Sequence, residues 1–194
     1  MILKPRAEAS RATQRKVLIV CEGAKTEPNY FKAFRVSSQV CDIEGSGHNT
    51  LSLVRQAVQL SKLKNYREVW CVFDRDSFPA KNIRAAYALA AENNFKVAYS
   101  NECFEIWYIL HFKYLESELN RQQYIKQLKK ELGKYEKNSI DMYDRLLKHQ
   151  EDAIRNATKL KQLHGVNADP SKCTPYTTVH ELVKRLNGLA LKAT

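Results

Sequence analysis

The sequence predicts an α/β domain with a mainly parallel central sheet, on two main observations. Strand-like runs alternate with helical stretches over residues 17–100, which is the pattern of strands joined by helical crossovers. The runs Val17–Val20 and Val69–Phe73 are apolar throughout, as in parallel strands covered on both faces. From residue 103 onward the pattern turns mostly helical, which adds a helical elaboration to that core.

The first element is the strand in KVLIVCEG, ending in a Gly turn. Glu27-Pro28 opens a helix, because Pro suits the first helical turn. VCDIEGSGHN reads as a brief strand leaving through a Gly-rich loop. Asn49 or Thr50 caps the next helix, with Leu51, Val54, Val58 and Leu60 as its apolar face. A strand follows in EVWCVF, then a helix near 80–92 and a strand at 96–100. CFEIWYILHF is apolar nearly all round and predicts a buried helix, and 117–164 is amphipathic and Lys-rich. TPYTTVHE reads as a polar turn entering a last helix, with Thr178 and Glu181 at capping-box spacing. The chain divides into a basic arm (1–14), an α/β core (15–116) and a helical region (117–194) packed on the same domain.

Composition narrows the function. At 194 residues and 44% hydrophobic content the chain can bury a core. No apolar run approaches a membrane span, and residues 1–16 lack the apolar segment of a secretory signal. Five cysteines without a CxxC pair suggest reduced thiols in a cytoplasmic protein, with neither zinc nor disulfides. The net charge is +11, with five bases against one acid in residues 1–16 and eleven against six in 121–164. That balance favours a polyanion, nucleic acid first, and simple solubility is the plainer account.

Parallel sheets carry their working groups beyond the carboxyl ends of the strands. Glu22, Asp74 and Asp76 are expected there. Acids so gathered raise one another's pKa, and a divalent cation relieves them; carboxylates without His or Cys suit Mg²⁺ or Mn²⁺. In an extended strand Asp74 and Asp76 would share a face about 7 Å apart. Either the chain turns after Asp74, or the acids serve two ions or act through water. Asp at a strand end is also an ordinary turn residue, and Glu22 is what makes the pair a candidate site.

Glu105 lies among Phe104, Ile106 and Trp107, where an ionised carboxylate needs a partner. It is a further metal ligand or base, or else an acid satisfied by first-turn amides. Lys25 is placed to hold a phosphate, and Glu27 reads as a first-turn acid. GAKT lacks the first Gly and spacer of a Walker A loop, so no nucleotide P-loop is expected. His111 reads as a core or rim histidine. His180 would meet substrate only if the last helix packs at the open edge of the sheet, and His48 lies in an exposed loop.

Four ordered blocks, VLIVCEGAKTEPNYFKAFR, VWCVFDRDSFP, AYSNECFEIWYILHF and TPYTTVHELV, resemble the RloB-like family over about residues 15–190. That family is similar to Toprim domains, in which a Glu after the first strand and a later DxD hold Mg²⁺ for phosphodiester chemistry. The resemblance puts Glu22, Asp74 and Asp76 in those places. It implies antiphage defence or abortive infection in bacteria and archaea, beside an ABC- or SMC-like ATPase. Two departures stand out: Asn101 is followed by Glu102 where the family usually has Pro, and DRDSFPAKN lacks the Gly that many Toprim domains place shortly after DxD.

The leading expectation is a metal-dependent nuclease acting on DNA or RNA, with catalytic Glu22, Lys25, Asp74, Asp76 and Glu105; the four acids are the metal ligands. A dimer is compatible with the sequence. One alternative is an Asp-nucleophile phosphatase, although DxD sits late in the chain and is followed by Ser77. Another is a non-catalytic nucleic-acid-binding or regulatory subunit of an ATPase complex, supported by the basic C-terminal helices.

Overall fold

The computed structural model describes residues 16–47, 49–76, 78–165 and 167–190. The basic arm, His48 and Ser77 lie outside the described residues. Strands β1 (Val17–Cys21), β2 (Cys41–Gly45), β3 (Glu68–Asp74) and β4 (Lys96–Asn101) are parallel, and the short β5 (Tyr176–Thr177) is antiparallel to β4. Their order is β2-β1-β3-β4-β5. The chain moves from β1 outward to β2, then crosses back to place β3 on the other side of β1. This reversal opens a crevice at the carboxyl ends of β1 and β3, where open α/β sheets bind ligands.

The strand period of two sorts the sheet residues between two cores. Leu18, Val20, Val69, Cys71 and Phe73 pack against α2 (Thr50–Leu63) and α3 (Ala80–Glu92). Val17, Ile19, Cys21, Trp70 and Val72 face the larger core. That core takes side chains from α1 (Thr26–Lys32), α4 (Glu105–Ile109), α5 (Arg121–Leu132), α6 (Met142–Leu146), α7 (Gln150–His164) and α8 (Val179–Ala190). Both faces are therefore covered, as the unbroken apolar runs require. The expected α/β sheet flanked by helices, with its helical C-terminal elaboration and Toprim-like arrangement, is present. No helix among the described residues is long and apolar enough to cross a membrane. All five cysteines are buried.

Four local expectations need correction. The buried stripe of α2 runs through Thr50, Leu53, Val54 and Ala57, a period nearer 3.6, leaving Leu51, Val58 and Leu60 partly exposed. The helix in CFEIWYILHF spans only Glu105–Ile109, and Leu110 and His111 stay buried beyond its end. TPYTTVHE is more than a turn, since Tyr176 and Thr177 pair with Asn101 and Ser100 and close the β4 edge. The Thr178–Glu181 capping box does not form. The Thr178 hydroxyl donates to Val97 O at 3.2 Å and accepts from Tyr99 N–H at 2.9 Å, while the Glu181 carboxylate pairs with Lys161.

Candidate active site

Glu22 is the first residue past β1, and its amide continues the ladder by donating to Val72 O at 2.8 Å. Its carboxylate joins three elements at the crevice. Oε2 accepts the Asp74 amide at 3.1 Å, and Oε1 accepts the Thr50 hydroxyl, at the start of α2, at 3.3 Å. Burial and the neighbouring Asp76 and Glu27 push its pKa up to about 7, against the lowering effect of those two hydrogen bonds.

Asp74 closes β3 on the same strand period as Trp70 and Val72, which directs it toward α4. Its Oδ2 accepts the Phe104 amide at 3.0 Å, whereas Oδ1 is buried without a hydrogen-bond partner. Burial raises its pKa well above the usual carboxylate range, and Glu27, Glu105, Asp76 and Glu22 raise it further.

The chain then turns. Arg75 N–H donates to Ser100 O at 2.9 Å, and Asp76 adopts a left-handed conformation with φ 45°, its amide donating to Glu102 O at 3.0 Å. Asx residues tolerate that region better than most. The bend takes Asp76 off the extended face and settles the first of the geometric alternatives raised by DxD. Both aspartates now address one cation: Arg121 Nη2, from the first residue of α5, hydrogen-bonds Asp76 Oδ1 and lies 3.8 Å from Asp74 Oδ2.

Glu105 is 2% exposed, and its Oε1 accepts the Tyr135 hydroxyl at 3.0 Å. Between the two readings of this acid, the structure supplies a side-chain donor from the segment after α5. Glu27 is the acid that sequence reasoning undervalued. It is buried, its Oε2 has no hydrogen-bond partner, and its carboxylate lies so close to Gly23 that a Cβ there would overlap it. Burial raises its pKa, with further upward contributions from Glu105 and Asp76 and an opposing one from Lys137. The spacing EGAKTE was the available signal: it puts two acids on either side of one tight loop.

Glu22, Glu27, Asp74, Asp76 and Glu105 all line one open cavity of about 580 Å³. Lys25, Arg121 and Lys137 line it too, together with Asn49 and Asn138. Asn138 fixes the far wall, as its Oδ1 accepts the Thr26 hydroxyl at 2.6 Å and its carbonyl accepts Asn29 Nδ2–H at 3.1 Å. All five residues expected in the site are therefore brought together, with Glu27, Arg121 and Lys137 added. His111 and His180 do not line this cavity. Each is buried, and burial lowers the pKa of each to about 4, so both are neutral core histidines at neutral pH.

The donor set fits a hard divalent cation in kind: every candidate ligand is a carboxylate, and two buried oxygens, Asp74 Oδ1 and Glu27 Oε2, lack hydrogen-bond partners. In position it is not closed. Among the described residues no three His, Cys, Asp or Glu side chains are grouped to hold a metal ion as they stand. Loading would require side-chain movement within the cavity.

A family model described as RloB-like protein matches residues 17–186, most of the chain. The chain belongs to that family. No curated protein and no solved structure matches it.

Proposed function

We propose that this member of the RloB-like family is a divalent-metal-dependent nuclease that cleaves phosphodiester bonds in DNA or RNA. We place it as an effector in antiphage defence, working with an ABC- or SMC-like ATPase. The observation that carries the reading is the union of Glu22 and Asp74 at the strand-order reversal, inside a cavity that holds five carboxylates and three bases.

Asp74, Asp76, Glu27 and Glu105 would hold Mg²⁺ or Mn²⁺, with Glu22 beside them as a ligand or a proton-transfer group. The ion would supply electrostatic activation of the phosphodiester. Glu22, with its pKa near 7, is matched to accept or return a proton at neutral pH. Lys25 and Lys137 stand where they can meet phosphate oxygens on the rim, which gives the acid pocket affinity for a polyanion that it would otherwise repel. The net charge of +11 supports the same substrate class through backbone contacts.

The test is incubation of the full chain with DNA, bulk RNA and tRNA plus Mg²⁺ or Mn²⁺, with and without the neighbouring ATPase. Cleavage that disappears in Glu22→Ala and Asp76→Ala variants supports the reading; full cleavage by both variants removes it. Nucleic-acid binding without cleavage, indifferent to metal and to the acids, would point instead to a binding or regulatory subunit.

A further inference from the structure

Arg121 occupies an unusual place for a surface-region arginine. It belongs to a Lys-rich stretch whose other bases point largely to solvent, yet its guanidinium reaches back to the tip of β3. One nitrogen, Nη2, is shared by the two aspartates: it hydrogen-bonds Asp76 Oδ1 and lies 3.8 Å from Asp74 Oδ2. The backbone behind it is fixed. Asn120 caps α5 in a full capping box, accepting from the Gln123 amide at 3.0 Å while the Gln123 side chain accepts from the Asn120 amide at 2.8 Å. The side chain is less confined, being 33% exposed, and its buried Nε has no hydrogen-bond partner. A guanidinium carries five N–H donors, so this one is held at one end and under-used at the other.

We infer that Arg121 is the resident counter-cation of the Asp74–Asp76 pair, and that a divalent ion binds there only by displacing it. This rests on the reading of the cavity as a metal site. Two observations and one electrostatic argument support it. The two acids that flank Nη2 are those the bend at Asp76 turns toward one point. Asp74, itself 7% exposed, keeps a buried oxygen unpartnered beside this ion pair. A metal and a guanidinium compete for the same two carboxylates, because their charges repel at such range. The competent state is therefore the fraction of molecules in which Arg121 has left, and apparent metal affinity is reduced by that fraction. Once displaced, the guanidinium remains in a cavity lined by Lys25 and Lys137, with its donors free for a phosphodiester oxygen.

The test is Mn²⁺ binding to the full-length protein by isothermal titration in about 0.15 M salt, where charges more than about 8 Å apart are largely screened. Wild type is compared with Arg121→Gln, Arg121→Lys and Lys126→Gln, the last removing an exposed charge from the same helix. If Arg121 is absent from the pair in about one molecule in ten, Arg121→Gln tightens Mn²⁺ binding about tenfold. Arg121→Lys is expected to fall between it and wild type, and Lys126→Gln to match wild type. Circular dichroism melts confirm that each variant folds. Wild type that binds Mn²⁺ while Arg121→Gln binds it equally or more weakly overturns the inference and leaves the metal site standing. Equal tightening by Lys126→Gln also overturns it, since the effect would then be diffuse charge. Absence of Mn²⁺ binding in every variant overturns both the inference and the metal reading.

Discussion

The carboxylate of Glu22 accepts the backbone amide of Asp74 at 3.1 Å, so the acid that ends β1 holds the tip of β3. The bond couples the site's geometry to its charge. Glu22 accepts best when ionised, yet ionisation puts a negative charge beside Asp74, Asp76 and Glu27.

Glu22→Gln keeps an oxygen for the Asp74 amide and removes the charge. The folded-state pKa of Glu22, about 7, lies above its ordinary 4.5, so its contribution to stability is full below 4.5 and lost as pH rises through 7. In EDTA at pH 8 the Gln variant should gain about 1 kcal/mol in urea melts, after discounting for solvent screening, while losing metal-dependent cleavage.

Stability without metal should fall as pH rises from about 5 to about 8. Glu22, Asp74 and Glu27 have raised pKa values, so they withdraw stability as pH climbs. His111 and His180, lowered from 6.5 to about 4, act in the opposite sense, full above 6.5 and lost as pH falls through 4, and these two only partly offset the three acids. Urea midpoints across pH 4–9 in EDTA should show that fall, and saturating Mn²⁺ should flatten it.

Two glycines should separate site from scaffold. A Cβ at Gly23 meets the Glu27 carboxylate, the far end of a side chain that can rotate away. Gly23→Ala should cost under about 1 kcal/mol in stability yet weaken Mn²⁺ binding severalfold. A Cβ at Gly45 meets the backbone of Ala24, at 2.8 Å from its carbonyl oxygen, and backbone cannot step aside as cheaply. Gly45→Ala should cost about 1–3 kcal/mol.

Tyr135→Phe removes the hydroxyl that Glu105 accepts at 3.0 Å. Leaving a buried carboxylate without that donor should cost about 1–3 kcal/mol in thermal or urea melts, and bound Mn²⁺ should restore part of the loss.

The sequence made β1 and β3 legible because their apolar runs are unbroken and end in acids, and Glu22 with Asp74 followed from parallel topology alone. Glu27 was harder. A Glu at a helix start is ordinary, and the Phe104, Glu105, Lys137 and Asn138 that line the cavity with this one are distant in sequence. Arg121 was one base among eleven in residues 121–164, and no local pattern marks the one that turns inward. The bend after Asp74 depends on a single left-handed residue, and β5 on two residues whose pairing is long-range. Periodicity reports local burial, and it is silent about contacts closed by distant loops.

β5 and the Arg121–Lys137–Asn138 wall both come after residue 120, while the acids at 22, 27, 74, 76 and 105 come before it. A ribosome makes the acid-bearing part first. Until residues 121–138 emerge, Glu105 lacks its tyrosine, the aspartates lack their arginine and the cavity lacks its far side. Until residues 176–177 emerge, the β4 edge is open. The nascent chain thus carries its acids long before it carries a completed pocket, and the order of synthesis delays completion of the site.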